Sequence, residues 1–297
     1  FISIPAGFNK TLNNPNLTWQ FESDPEPSIS NRSIIYAQGR TLGGSSSING
    51  MIYNRGQAAD FDDWASAGNI GWAYKDVLPL FRRTENRIAQ PDEYDPDPAY
   101  RGSDGSLIVT TPRWPTSLEQ SFYESARNMG HSFNPDYNGA FQEGFGSYQS
   151  SIHRGRRIST ASAFLHPARK KFSVDVRCHA TATSIQFDGL RATGVNYLHS
   201  GKLRIVNAKK EVIIAAGALN SPKLLQLSGI GPRALLCQHK IDVRLELEGV
   251  GRNLRDHFTP RLQIEAKPGL ITMNQEVSGF SLVKQILRWA FGLTSIL

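Results

Sequence analysis

The spacing of apolar and polar residues predicts two helices and one strand in the first half of the chain. Apolar residues recur at helical spacing over Trp72–Arg83 and Leu118–Met129, so both stretches are predicted to be helices. Residues Ser106–Thr111 alternate in the manner of a strand. Residues 1–38 are rich in Asn, Pro and Ser without a period, and residues 91–105 are rich in Pro, Asp and Gly. We expect the former to be irregular and the latter to form an exposed loop.

The second half of the chain changes to shorter apolar runs, which predict strands. Turn residues separate three of them: Val174–Cys178, Thr183–Phe187 and Thr193–Leu198. The continuous apolar run Glu211–Ala216 predicts a buried strand covered on both faces. Gly217 is expected to end this strand, and Ser221 to cap a helix with Pro222 at its first position. A strand, a glycine turn and a helix N-terminus in succession are typical of nucleotide-binding α/β folds.

Composition and charge fit a soluble globular enzyme. Of 297 residues, 39% are hydrophobic and 20% charged, which allows one large or two modest domains. The 33 Lys and Arg residues against 26 Asp and Glu give a formal net charge of +7, which is compatible with a phosphate-bearing partner. The basic residues are scattered except for one group: Arg154, Arg156, Arg157, Arg169, Lys170 and Lys171. Because no aromatic residues are interleaved with it, we expect this group to be a solvated face and predict no nucleic-acid partner.

Residue types that bind metals or form disulfides are sparse. Cys178 and Cys237 are too few for a disulfide framework or a zinc site, and the seven histidines lack metal-ligand spacing. No transmembrane segment is predicted, because the most apolar tail, Phe280–Leu297, carries Lys284 and Arg288. These observations leave the cellular compartment open.

A glycine- and serine-rich stretch carries the clearest candidate chemistry. Gly43 and Gly44 precede three consecutive serines, Ser45–Ser47. Glycine lets a backbone approach a ligand closely, and free N–H groups and hydroxyls can hold an anion such as a pyrophosphate. The following Asn49-Gly50-Met51 offers another glycine, against which a flat ring could lie. Taken alone, such a cluster is more often an ordinary loop.

The order of residues over a longer range points to a family. Residues 39–62 resemble the first signature of the glucose–methanol–choline (GMC) oxidoreductases, which bind FAD, and Gly217–Gly231 resembles the second. Two such matches in the right order rarely arise by chance. The resemblance covers nearly the whole chain and is strongest to the choline and alcohol dehydrogenases of the family. It extends to Asp60–Trp64, Gly71-Trp72, Glu143–Gly146, Arg156–Ala161 and Gly249–His257.

The resemblance implies a set of residues that bind FAD: Thr41, Gly43, Gly44, Ser45, Asn49, Gly50, Met51, Ile52 and Ala182. Family members usually carry a valine where this chain has Ala182, and the backbone there pairs with the adenine. The competing interpretations are a capped turn for the loop and an ordinary edge residue for Ala182. Ile48 stands where some members attach FAD through a histidine, so non-covalent FAD is expected. Asp256-His257 resembles an acid–base pair, but the resemblance favours a structural histidine.

The resemblance also implies a fold. This fold is α/β, with an FAD-binding Rossmann-like domain and a discontinuous α+β substrate domain built on an antiparallel sheet. The expected segments are 1–105 covering FAD, 106–172 starting the substrate domain, 173–257 continuing the FAD domain and 258–297 resuming the substrate domain. The family's N-terminal Gly-x-Gly-x-x-Gly turn is absent from the sequence, and so is a counterpart of its C-terminal catalytic histidine. The chain therefore resembles the middle of a longer protein and is expected to be inactive alone.

The implied reaction is the oxidation of an alcohol to an aldehyde, with hydride transfer to flavin N5. A small alcohol would be the substrate, and oxygen or a quinone-type carrier would accept the electrons. No catalytic residue is assigned within this chain. Two alternatives stay open: a hydroxynitrile-lyase-type enzyme on the same fold, because fold does not fix function, and a non-enzymatic gene fragment.

Overall fold

The structure is a computed structural model that describes residues 1–297 except 92, 112–116, 258, 261, 264, 266, 268, 271 and 293–297. Of residues 117, 273 and 274 it describes the backbone alone. The chain divides into two compact units, and each is described by itself. Unit 1 comprises Phe1–Ser173 with Ile264–Leu297, and unit 2 comprises Val174–Gln263. The assignment of segments to FAD and substrate domains stays a prediction.

The described part of the chain contains helices and strands in both units. In chain order the helices are α1 (Phe8–Leu12), α2 (Ala58–Ser66), α3 (Tyr74–Thr84), α4 (Ser117–Asn128), α5 (His166–Lys171), α6 (Gly217–Leu227), α7 (Arg233–Gln238), α8 (Met273–Glu276) and α9 (Gly279–Ala290). The strands are β1 (Thr18–Glu22), β2 (Ile35–Gly39), β3 (Glu85–Arg87), β4 (Leu107–Val109), β5 (Ile152–His153), β6 (Arg156–Arg157), β7 (Ala180–Asp188), β8 (Arg191–His199), β9 (Lys202–Asn207), β10 (Ile230–Gly231) and β11 (Leu245–Glu246). Short non-α helical turns cover Pro5–Gly7, Pro27–Ile29, Gly44–Ser47 and Ala161–Leu165.

The N-terminal segment is more regular than its composition indicates. Strands β1 and β2 pair antiparallel, with Thr18 opposite Gly39 and Glu22 opposite Ile35. The expectation of irregular structure over residues 1–38 is therefore wrong for the nine strand residues at positions 18–22 and 35–38 and for the five residues of α1. Each strand has only five residues, which is too short for its alternation to stand out among Asn and Pro. The hairpin leads directly into the glycine- and serine-rich stretch.

Helices α3 and α4 form where periodic apolar residues predict them. Helix α2 lies between the glycine- and serine-rich stretch and α3 along the chain. The predictions of helices over 72–83 and 118–129 are confirmed by α3 and α4. Helix α2 begins with a capping box between Gln57 and Asp60, and its buried Phe61 packs against the rings of Tyr74 and Phe81. Gly130, at a φ of 83°, follows the end of α4.

Strands β3 and β4 form a parallel pair, and β4 confirms the strand predicted over 106–111. The neighbouring Thr110 makes an antiparallel bridge to Ser150, and Ser150 makes a second one to Ile52. Through Ser150, these bridges connect the end of the glycine- and serine-rich stretch to the segment that carries β4. The apolar core of unit 1 includes Ile48, Met51, Val109, Ala161 and Ala163.

Unit 2 is built on an antiparallel sheet with the order β7-β8-β9. Strands β7 and β8 confirm the strands predicted over 183–187 and 193–198. Strand β9 was not predicted, and all six of its residues are exposed. Helix α6 packs on β7, where the Ile185 amide donates to the Ser228 hydroxyl at 2.8 Å.

Two predicted strands of unit 2 and one predicted helix start are wrong. Neither Val174–Cys178 nor Glu211–Ala216 forms a strand, and Ile213 is 79% exposed instead of buried. An apolar run becomes a strand only beside a partner that accepts its hydrogen bonds, and none is present among the described residues. Helix α6 begins at Gly217, with Pro222 inside it, and the Ser221 hydroxyl accepts the Ala216 amide at 3.1 Å. Ser221 therefore holds the chain that precedes the helix.

Candidate functional site

The segment Thr41–Ile52, here called the signature loop, turns sharply immediately after β2. Gly43 and Gly44 have φ values of 88° and 55°, in the left-handed region that favours glycine. A side chain on Gly39 would lie 2.3 Å from the Gly44 carbonyl, and one on Gly43 would lie 2.5 Å from the Ser47 hydroxyl. The close approach of the strand to the loop therefore requires glycine at positions 39 and 43.

The serine side chains mainly hold the loop in shape. The Ser46 hydroxyl donates to the Gly43 carbonyl at 2.5 Å, and the Ser47 hydroxyl donates to the Leu42 carbonyl at 2.7 Å. The expectation that the serine hydroxyls hold an anion therefore fails for Ser46 and Ser47. The Ser45 hydroxyl accepts the Gly39 amide at 3.0 Å, so its own proton stays available to a ligand.

One side of the signature loop is open and the other faces the core. A side chain placed on Gly44 or Gly50 would meet no protein atom within 4 Å. Ser45, Asn49, Gly50 and Ile52 are exposed, Thr41 and Gly44 are half-buried, and Ser47, Ile48 and Met51 are buried. The loop thus presents an accessible backbone surface above a closed base.

Met51 is held in a strained conformation at the end of this surface. Its φ is 63°, a left-handed value that few residues other than glycine adopt, although its side chain is buried. Its amide donates to Asn49 Oδ1 at 3.1 Å, and its carbonyl accepts the Ser151 amide at 2.9 Å. Such strain is of order 1–3 kcal/mol and persists only where neighbouring contacts impose it, commonly at functional sites.

Arg157, on β6, lies beneath the signature loop. Its Nη1 donates to the carbonyls of Ser46 and Asn49 at 3.1 and 2.7 Å and to Asn49 Oδ1 at 2.8 Å. Its Nε donates to the Ile2 carbonyl at 2.8 Å. Burial lowers the pKa of its guanidinium, which stays cationic at neutral pH. The basic group predicted to be a solvated face is exposed at its other five positions, but Arg157 is 5% exposed.

A buried charge cluster anchors the chain that leaves the signature loop. We define it as Arg55, Glu85, Arg101 and Asp136, two cations and two anions. Arg55 Nη2 lies 2.5 Å from Glu85 Oε2, Arg101 Nη1 lies 2.5 Å from Asp136 Oδ1, and Arg101 also pairs with Glu85. Burial raises the pKa of Asp136, but the charge of Arg101 and hydrogen bonds to the carboxylate outweigh it and hold the pKa below its ordinary value.

Asn138 joins this cluster to the backbone after the signature loop. Its Oδ1 accepts the Arg55 amide at 2.7 Å, and its Nδ2 donates to the Tyr53 carbonyl at 3.0 Å. The same Nδ2 donates to Gln149 Oε1 at 3.1 Å, and the Gln149 carbonyl accepts the Tyr53 amide at 2.8 Å. Both ends of the loop are therefore fixed, one by β2 and the other by the cluster.

The remaining candidate residues lie in unit 2. Ala182 is exposed on β7 opposite Tyr197, beside an irregularity of the strand between Ala182 and Ser184. Its proposed backbone role stays a prediction. His257 is 90% exposed, and Asp256 is its one ion-pair partner among the described residues. The expectation that His257 is structural therefore finds no support in the described contacts.

The signature loop was found from the sequence, but its supports were not. Arg157, Asn138 and the buried charge cluster contact residues up to 155 positions away along the chain, which no local pattern reveals. Among the described residues, no three His, Cys, Asp or Glu side chains are placed to hold a metal ion. In that same part of the chain, no helix is long and apolar enough to cross a membrane.

Comparison with known proteins identifies relatives of about twice the length. The chain is 42% identical over 288 residues to an oxygen-dependent choline dehydrogenase of Brucella suis, covering 97% of this chain and 51% of the relative. It is 44% identical over 270 residues to the enzyme of that name in Sinorhizobium fredii, covering 90% and 48%. The chain thus spans about half the length of the curated relatives it matches.

Solved structures and a family model agree with these relatives. An FAD-dependent oxidoreductase from Chaetomium thermophilum superposes with a TM-score of 0.78 at 29% identity, covering 86% of this chain and 45% of that one. A fungal aryl-alcohol oxidase gives 0.80 at 25% identity, covering 92% and 49%. The family model described as GMC oxidoreductase matches residues 18–259. The chain therefore belongs to the GMC oxidoreductases, an FAD-binding family with an α/β fold.

Proposed function

We propose that the protein is an FAD-dependent oxidoreductase that acts on CH–OH groups and oxidises a small alcohol to an aldehyde. The observation that carries the proposal is the signature loop, which combines an open backbone surface at Gly44 and Gly50 with a buried base. This surface occupies the part of the sequence that resembles the first GMC signature. Family membership supplies the reaction class.

The residues of the loop fit the parts of FAD. Side chains on Gly44 and Gly50 would fill the space that the loop leaves open, so glycine there keeps room for a ligand. Thr41, Gly43, Gly44 and Ser45 would hold the pyrophosphate and ribitol. The backbone of Asn49–Ile52 would lie along the flavin ring, and the backbone at Ala182 would pair with the adenine.

The protein's part in the reaction is positioning. FAD, when bound, supplies the acceptor for the substrate's hydride, at flavin N5. The bonds that fix Gly43, Asn49 and Met51 set the shape of the surface before any ligand arrives. Pre-set geometry of this kind removes an entropy barrier to reaction. The base that takes the hydroxyl proton is not assigned to a residue of this chain.

FAD would be held without a covalent bond. Ile48 offers no nucleophilic atom, and it is 1% exposed, with its side chain in the core. We infer a small alcohol as substrate, because relatives bear the name choline dehydrogenase. Oxygen or a quinone-type carrier would accept the electrons, and oxygen is the acceptor that the names of the relatives specify.

Purification of the protein as encoded by the complete gene, rather than of these 297 residues alone, followed by absorbance spectroscopy, tests the proposal. We expect about one FAD per chain, and anaerobic addition of choline or another small alcohol should bleach the flavin band. Readmitted oxygen or a quinone should restore it. Absence of FAD would contradict the proposal. Cyanide release from a cyanohydrin without bleaching would favour a lyase.

A further inference from the structure

We propose that Arg157 is a cofactor-positioning residue, a buried cation whose charge is matched by bound FAD through the signature loop. This inference rests on the proposed function, because it takes the loop to be the FAD site. Arg157 belongs to the basic group of the sequence, yet it is enclosed where its neighbours are exposed.

The bonds of Arg157 converge on the backbone that shapes the loop. One nitrogen, Nη1, contacts both Ser46 and Asn49 through three oxygen acceptors. Asn49 Oδ1 in turn accepts the amide of Met51, the residue with the strained backbone. Arg157 is therefore connected to Met51 through one side chain, and it supports the part of the loop assigned to the flavin ring.

Arg157 differs from the other buried arginines in its charge balance. Arg55 and Arg101 pair with Glu85, and Arg87 pairs with Glu93. No carboxylate among the described residues lies within ion-pair distance of Arg157, and all its acceptors are neutral. Its Nη2 is buried and has no hydrogen-bond partner in the part of the chain that the structure describes.

An enclosed cation with an unused donor is unfavourable unless a negative charge compensates it. The protein supplies no such charge among the described residues. FAD does, because its pyrophosphate carries two negative charges at neutral pH. Interaction inside a partly desolvated site is much less screened than in water, so the cation need not touch the anion to favour binding.

Three substitutions in the protein as encoded separate charge from shape. Arg157→Gln removes the charge and keeps an amide donor, and Arg157→Lys keeps the charge but loses the fork of donors. Arg169→Gln is the matched control, because it removes the same charge from an exposed position on α5. The affinity for FAD is measured by titration of the apoprotein, together with the unfolding midpoint of each apoprotein.

We expect Arg157→Gln to weaken FAD binding by about 10- to 100-fold, the loss typical of one charge-assisted interaction. Arg157→Lys should recover most of the affinity, and Arg169→Gln should leave it unchanged. Unchanged affinity in Arg157→Gln would overturn the inference, and so would equal losses in the Gln and Lys variants. A lower apoprotein midpoint with unchanged affinity would show a purely structural role. If the unsubstituted protein binds no FAD, the proposed function itself fails.

Discussion

At the scale of single residues, the signature loop depends on positions whose backbone lies in the left-handed region. Gly43 and Gly44 reach it freely, whereas Met51 is held there by Asn49 and Ser151. The two kinds of residue have different roles at the site. The glycines keep space open for a ligand, and the strained methionine fixes the direction in which the chain leaves.

We predict that Gly44→Val abolishes FAD binding in the protein as encoded by the complete gene. The new side chain would enter the space that is free of protein atoms, and a β-branched residue at a φ of 55° is strained by about 1–2 kcal/mol. The FAD content of the purified variant checks this. Gly130→Val is the control, because Gly130 also has a positive φ and free space around it but follows α4. Full FAD content in a folded Gly44→Val protein would refute the prediction.

The absence of an attachment atom at Ile48 leads to a second prediction. Acid denaturation of the loaded protein should release all of its FAD, because nothing at this buried position can hold the flavin covalently. Flavin fluorescence is measured in the supernatant and in the precipitated polypeptide. Fluorescence that stays with the polypeptide would show attachment through another residue.

At the scale of elements, the buried charge cluster decides how the segments around the site are joined. It connects the chain after the signature loop to β3, and through Arg101 and Asp136 to two loops. Its charges balance, and each carboxylate accepts more than one hydrogen bond. Loss of one partner from a buried ion pair strongly destabilises a protein, because the other charge stays buried without compensation.

We predict that Asp136→Asn lowers the free energy of unfolding at pH 7 by about 3 kcal/mol. This is the lower end of the range for breaking a buried ion pair, because Arg101 retains its ion pair with Glu85. The pKa of Asp136 is lowered in the folded state, so its carboxylate stabilises the fold above the unfolded-state pKa of about 4. That contribution is lost as the pH falls through the folded-state value. The difference in the free energy of unfolding between variant and parent should therefore become smaller below about pH 4.

Urea unfolding of the protein as encoded by the complete gene, between pH 7 and pH 3, measures this difference in the free energy of unfolding. Asp175→Asn is the control, because Asp175 pairs with Arg177 at the surface. Its substitution should change stability little at any pH. If the free energies of unfolding of Asp136→Asn and its parent differ by a constant amount from pH 7 to pH 3, the charge of Asp136 does not contribute to stability.

Sequence patterns predicted the elements that carry their own periodic signal. Helices α3 and α4 and strands β7 and β8 are long enough for alternation or helical spacing to show. Strands β1 and β2 were missed because they are short. The strand predicted over Glu211–Ala216 was wrong because an apolar run does not reveal whether a partner strand lies beside it.

The candidate site likewise has one part that the sequence reveals and another that it does not. The order of residues along the chain was enough to find the signature loop, because its glycines and Asn49 follow one another closely. Arg157 could not be recognised, since Arg156 beside it is exposed and the two residues look alike in sequence. Burial and long-range hydrogen bonds alone distinguish them.

At the scale of the whole molecule, apolar surface is left uncovered in both units. In unit 1, Phe280, Val283 and Leu287 are exposed on one face of α9, and Phe280 is 87% exposed. In unit 2, Ile213 is exposed within a segment that has no strand partner among the described residues. Exposed apolar faces and unpaired backbone of this kind favour association or loose packing.

We therefore predict that a polypeptide limited to these 297 residues lacks a cooperative thermal transition, binds FAD weakly or not at all, and oxidises no alcohol. Net stability of an intact domain is about 5–15 kcal/mol, which leaves little margin for uncovered core. Calorimetry and binding of a hydrophobic dye check this, with a full-length relative as control. A sharp transition together with stoichiometric FAD would contradict the prediction.

The contact between Arg157 and Ser46 also sets an order of events during synthesis. The two residues are 111 positions apart, and Arg157 further contacts Ile2, 155 positions away. Ribosomes add about 5–20 residues per second, so roughly 5–20 s pass between translation of the loop and translation of the arginine that holds it. The loop cannot reach its final geometry before then. Flavin is therefore expected to bind late, to a nascent chain in which Ile2 is already hydrogen-bonded to Arg157.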